Sequence, residues 1–142
     1  MPHANESGNW WQGENSRLAS LTAAAIWGGK LSHSDVNGSF GVNDELSYFA
    51  QSQIDWILGK NPYQVCMLYG FGVTNASFAN SVGSLINGGI SSGITGASYS
   101  TDGHGITWAE GPAEHNWRWT QQWLEHSAWY LLAITAMSDN TL

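Results

Sequence analysis

Residues 70–105 hold glycine, serine, asparagine or threonine at most positions. A loop of this length is uncommon inside a compact domain, and is usually functional or disordered. Isoleucines 86, 90 and 94 recur through it, which predicts that parts of it pack down. Glycines 88, 89 and 93 would let the backbone approach a ligand or another segment closely. The helices come from the segments on either side.

Those segments read as three helices. The first covers residues 16–27, with Asn15 or Ser16 as cap and Gly28-Gly29 as stop. Leu18, Leu21, Ala25 and the Ala19/Thr22 row make it apolar on more than one side. The second covers residues 44–58, capped by Asn43. Leu46, Phe49, Ala50, Ile54, Ile57 and Leu58 recur at helical spacing. Gly59 is a left-handed stop, and Pro62 prevents resumption. Residues 65–69 form a short strand or a helical turn. The third helix covers residues 116–137. Trp119, Trp123, His126 and Tyr130 share one face, and Leu124, Ala128, Leu131 and Leu132 another. Gln121, Gln122 and Glu125 fall on a third side.

Three helices and a long loop make a thin core for 142 residues. A free-standing domain of this size buries about 70% of its unfolded surface. The apolar load on these helices looks built for neighbours beyond them.

Composition narrows the function. The chain carries nine tryptophans and a net charge of −7, with only 11% charged residues. That balance disfavours nucleic acid, whose binding needs basic side chains to displace counterions. It suits neutral polar ligands such as sugars, whose C–H faces lie on indoles while their hydroxyls take polar neighbours. No run reaches the roughly 18–20 apolar residues of a membrane span, so no membrane partner is expected. The start, "MPHANESGNWW", lacks the apolar core of a secretory leader. Cys66 is the single cysteine, which excludes an internal disulfide, and between Val65 and Met67 it reads as a buried thiol.

Three blocks resemble one family. "QSQIDWILGKNPYQVCMLYGFG", residues 51–72, is similar to the helix, I-L-G-x-N-P turn and G-F-G segment of family 9 glycoside hydrolases. "WWQGENSRLASLTAAAIW", residues 10–27, resembles the preceding helix of that family. "NWRWTQQWLEHSAWYLLAITAM", residues 116–137, resembles its last barrel helix, and "NGGISSGITG", residues 87–96, is similar to a glycine-rich loop that a branch of the family carries before it. The resemblance implies an all-α fold, part of an (α/α)6 toroid with a long glycine-rich loop. It implies inverting hydrolysis of β-linked glucans or oligosaccharides, and no cofactor. The family's catalytic domain is much longer than this chain, which corresponds to its C-terminal portion. The missing N-terminal part of the toroid is then a candidate partner.

Inverting hydrolysis needs two carboxyl groups, roughly 6.5–9.5 Å apart, one protonating the leaving oxygen and one activating water. The family's base comes from an aspartate motif that this sequence lacks. Its general acid is a glutamate early in the last helix, and the resemblance sets Gln121 at that position. Glutamine holds a sugar hydroxyl but has no proton to give at neutral pH. Glu125 and Glu114 are the fallback acids. After G-F-G the sequence reads "VTNASFANSVG", without the histidine–histidine–arginine block of many members, which weakens a cellulose-type substrate.

Candidate substrate contacts are Trp117, Arg118 and Trp119 at the mouth of the last helix, as stacking faces and a hydroxyl donor. Packing is the equal alternative for both indoles, and pairing with Glu114 the alternative for Arg118. Trp123 and Trp129 read as core, and His126 as a buried, hydrogen-bonded histidine. Trp10, Trp11 and Glu14, with Asn15, form a second candidate group, or cover the end of the barrel. Asp102, His104, Glu110, Glu114 and His115 lie close in sequence but match no metal-ligand spacing, so no metal site is expected. A non-catalytic carbohydrate-binding protein and a helical piece completing a partner's toroid are the rival readings.

Overall fold

Helix α2 and the turn after it follow from local chemistry. The computed structural model describes residues 13–32, 42–76, 85–97, 105–110 and 116–138. Helix α1 is Asn15–Ser32 and α2 is Asp44–Ile57. The side chain of Asn43 accepts from the Leu46 amide at 2.8 Å, satisfying one of the donors that a helix start leaves open. Asp44 and Glu45 in the first turn suit the positive end of the helix dipole. At the other end Gly59 takes φ +115, and the Lys60 amide reaches back to the Asp55 carbonyl at 2.8 Å. The expected stop is in place.

The turn after it is organised by Asn61, which is buried. Its Nδ2 donates to the carbonyls of Trp56 and Val65, both at 2.8 Å. Its Oδ1 accepts from the amides of Tyr63 and Val65. One asparagine thus closes the G-K-N-P turn from both sides.

Helix α1 departs from expectation at both ends. Gly28-Gly29 does not stop it, and the helix continues to Ser32. The reason is packing. A Cβ on Gly29 would meet Val42 Cγ1 at 2.9 Å and Leu46 Cδ1 at 3.1 Å. The glycine is there for close approach to the segment leading into α2, and continued helical hydrogen bonding outweighs its conformational cost. At the start Asn15 is the first helical residue and caps nothing. Its Nδ2 donates instead to the Ser91 carbonyl at 2.8 Å and the Met67 sulfur at 2.9 Å.

Residues 65–69 are extended rather than helical. Cys66 bridges Asn75, and Leu68 bridges Ile90. A short antiparallel ladder joins β1, Thr95–Gly96, to β2, Ile106–Thr107. Of the three loop isoleucines, Ile90 and Ile94 are buried, and Ile86 is 69% exposed. The core gathers Leu18, Ile54, Ile57, Met67, Ile90 and Tyr130. Helix α1 packs on both α2 and the helix at Leu124–Ser138, and Thr22 Oγ1 donates across to the Ala50 carbonyl of α2.

The expected third helix is two helices. Helix α3 is Trp117–Thr120 and α4 is Leu124–Ser138. Gln121 has φ −66 and ψ 137, an extended conformation that ends α3. The break comes from competition for carbonyls. Those of Arg118, Trp119 and Gln121 accept from the amides of Gly13, Gly93 and Ser92 at 3.0, 2.9 and 2.9 Å. A continuous helix would need the same acceptors for its own ladder. Trp119 therefore does not share a continuous helical face with Trp123, His126 and Tyr130. The Leu124, Ala128, Leu131, Leu132 stripe is on α4 as expected but faces solvent, with Leu124 86% and Leu131 63% exposed.

Candidate functional site

Three strands of backbone meet where the last helix breaks. Residues 91–93 run between 13–15 and 118–121, linked by the bonds from Gly13, Ser92 and Gly93 and by Asn15 N–H to the Ser92 carbonyl at 3.0 Å. Ser92 Oγ also donates to the Gln121 carbonyl, at 2.9 Å. Such closeness requires glycine. A Cβ on Gly13 would lie 2.2 Å from the Gly93 carbonyl oxygen. One on Gly93, where φ is +107, would lie 2.6 Å from the Asn15 side chain.

This junction brings together several of the expected site residues. Glu14 lies beside Asn15, its side chain only 13% exposed and paired with Arg17 at 3.5 Å. Arg118 is half-buried, with its guanidinium 6.0 Å from the centre of the half-buried Trp117 ring. Gln121 contributes a partly exposed side chain whose amide makes no hydrogen bond among the described residues. Gln122 behaves oppositely. Its Oε1 accepts from the Ile86 amide at 2.6 Å, and its Nε2 donates to the carbonyls of Ile86 and Gly89 at 3.0 and 3.1 Å. The glutamine pair is thus divided between a free amide and an engaged one.

Other candidates fall elsewhere. Trp119 is 3% exposed and its Nε1 donates to Thr95 Oγ1 at 2.9 Å, so it takes the packing alternative. Glu125 is exposed on α4, in an open groove with Trp123, Leu124 and Trp129. Trp129 is 40% exposed, and Trp123 is half-buried with its ring stacked 6.2 Å from that of His126, so neither is fully core. His126 is buried as expected, but neither ring nitrogen has a hydrogen-bond partner among the described residues, which corrects the expectation of a bonded histidine. Burial, which strips hydration from the imidazolium, holds it below the usual histidine range, against a weaker opposite pull from Glu125. Trp10, Trp11, Glu114, Asp102, His104 and His115 lie outside the described residues. Among the described residues no three metal-ligating side chains gather, and Glu110 is exposed. Cys66 is a free, buried thiol.

Sequence reasoning missed Gln122 and Ser92. Their signal was the glycines at 89 and 93. A Cβ on Gly89 would sit 2.6 Å from the Gln122 carboxamide carbon.

Residues 3–88 match the model of Glycosyl hydrolase family 9, more than half of the 142-residue chain. The chain belongs to glycosyl hydrolase family 9. The match carries α1, α2 and the Asn61 turn of this family 9 chain, and α3, the break and α4 lie C-terminal to it. Among curated proteins none is significantly similar to it. Its mostly helical build is that of a partial all-α family 9 toroid, and its membership makes a glycan the substrate class. No helix among the described residues is long and apolar enough to cross a membrane.

Proposed function

We propose that this chain forms one wall of a family 9 cleft for a β-linked glucan or oligosaccharide, and binds saccharide there without hydrolysing it. The observation that carries this reading is the amide of Gln121, unbonded among the described residues, in the same segment as Arg118 and Trp117 at the three-segment junction. The amide offers a donor and an acceptor to sugar hydroxyls, Arg118 offers donors, and Trp117 an apolar face. Among the described residues the junction carries one carboxylate, Glu14. Inversion needs a protonated acid and a separate base, and an amide supplies neither. The family resemblance of the last helix sets Gln121 at the acid position, which accounts for the loss.

The test is isothermal titration of the 142-residue chain with cellotetraose, followed by chromatography of the sugar after long incubation. Saturable binding with no shorter products is expected, and Gln121→Glu alone yields no turnover, because the base is still missing. Release of cellobiose by the unaltered chain would overturn the non-catalytic reading, and absence of binding would overturn the site.

The solvent-facing apolar stripe of α4 favours a second reading, in which this chain completes a toroid with the remaining helices of a larger catalytic unit. Leu124, Leu131, Leu132 and Ile134 are between 37% and 86% exposed, more than a scatter of single surface residues. Sedimentation of the chain mixed with an N-terminal family 9 fragment separates the readings, since a stoichiometric complex supports the second and independent boundaries count against it.

A further inference from the structure

Gln121 and Gln122 are adjacent and chemically identical, yet among the described residues only one side chain is bonded, and the backbone between them explains why. At an extended residue, successive side chains point to opposite sides. Gln121 is extended. Whatever fixes Gln122 on one side therefore turns Gln121 to the other.

Gln122 is fixed by a turn of the glycine-rich loop. Its carboxamide pairs with both the N–H and the C=O of Ile86, as a neighbouring strand would, and reaches the Gly89 carbonyl as well. The turn itself is closed by Gly89 N–H to the Ile86 carbonyl at 2.9 Å. Its far side is tied to Tyr69, which accepts from Gly88 at 2.9 Å and donates to Gly89 at 3.0 Å. Gly89 leaves no room for a side chain where the carboxamide lies. The pocket for Gln122 is thus shaped by backbone, and it calls for a group that both donates and accepts.

We propose that Gln122 is the positioning residue of the saccharide site. It clamps residues 86–89 against the helix break and so directs the free amide of Gln121 into the cleft. The proposal rests on the saccharide reading above. Methionine at 122 keeps the length but removes acceptor and donors together, leaving the Ile86 N–H and the carbonyls of Ile86 and Gly89 without that partner. The same exchange at 121 breaks no side-chain hydrogen bond among the described residues.

The test pairs Q122M with Q121M in the full chain. Amide hydrogen exchange of Ile86, whose N–H is held by Gln122 Oε1, is read without sugar. Cellotetraose affinity is read by titration, and the thermal midpoint by circular dichroism. In Q122M, exchange at Ile86 quickens about tenfold and affinity falls about tenfold, while the midpoint moves by only a few degrees. In Q121M exchange at Ile86 is unchanged. Unchanged exchange in Q122M overturns the clamp. Faster exchange with unchanged affinity overturns the positioning role. If the unaltered chain binds no cellotetraose, the saccharide reading fails and the positioning role with it, and the exchange result then shows separately whether the clamp exists.

Discussion

Gly93 is the residue on which the junction turns. It has a positive φ, its amide supplies the bond to Trp119, and its missing side chain leaves room for Asn15. Gly93→Ala combines left-handed strain with a contact that Asn15 can relieve only by giving up its bonds to Ser91 and Met67. The expected cost is about 1–3 kcal/mol of stability, read as a lower urea midpoint with an unchanged slope. Gly88 is a useful contrast, because it has φ +80 but nothing within 4 Å of a Cβ. Its alanine variant should show the strain alone, and a cost at 93 no greater than at 88 would mean the contact with Asn15 is unimportant.

At the scale of elements, α2 is held by its ends and α4 by its break. Asn43 satisfies an amide that would otherwise face water, and Asn43→Ala is expected to cost about 1 kcal/mol in the same urea titration. An unchanged midpoint would show that α2 is held by tertiary packing alone. Both the cap and the Gly59 stop were legible in sequence, because each acts within a few residues. The break in the last helix was not. Its residues read as helix by period, and the groups that interrupt it come from Gly13, Ser92 and Gly93, distant along the chain. The same distance hid the engagement of Gln122. Trp119 could not be assigned from sequence either, since packing and stacking both use an indole at the mouth of a helix. Its bond to Thr95 decides for packing.

For the whole molecule, His126 links stability to pH. It is neutral in the folded core, where burial disfavours its charged form. Below about pH 6.5 the unfolded chain takes up a proton there that the folded chain resists. Stability is therefore full above about pH 6.5 and drains as pH falls from there toward the lower folded value. Asp55 adds to this in more acidic solution, since hydrogen bonds from Lys60 and Gln51 hold its carboxyl below the usual range. Its contribution is present above about pH 3.9 and is lost below it, and it is small because the pair is solvent-exposed. Thermal melts between pH 7 and 5 should show a falling midpoint that His126→Phe flattens. A parallel fall in both proteins would place the proton uptake elsewhere.

The sequence by itself determined α2, its asparagine cap and glycine stop, the turn at Asn61, the all-helical class and, through blocks in the right order, membership of family 9. These rest on short-range hydrogen bonding and on side-chain period, which any isolated stretch of chain already contains. Only the tertiary structure decided that α1 runs through Gly28-Gly29, that the last helix is broken, and that Gln122 is bound while the Gln121 amide is open. Those outcomes are contests between a local helical bond and a partner supplied by a distant segment. The winner is set by which backbone can come close enough, and here that depends on glycines packing against residues far away in the chain.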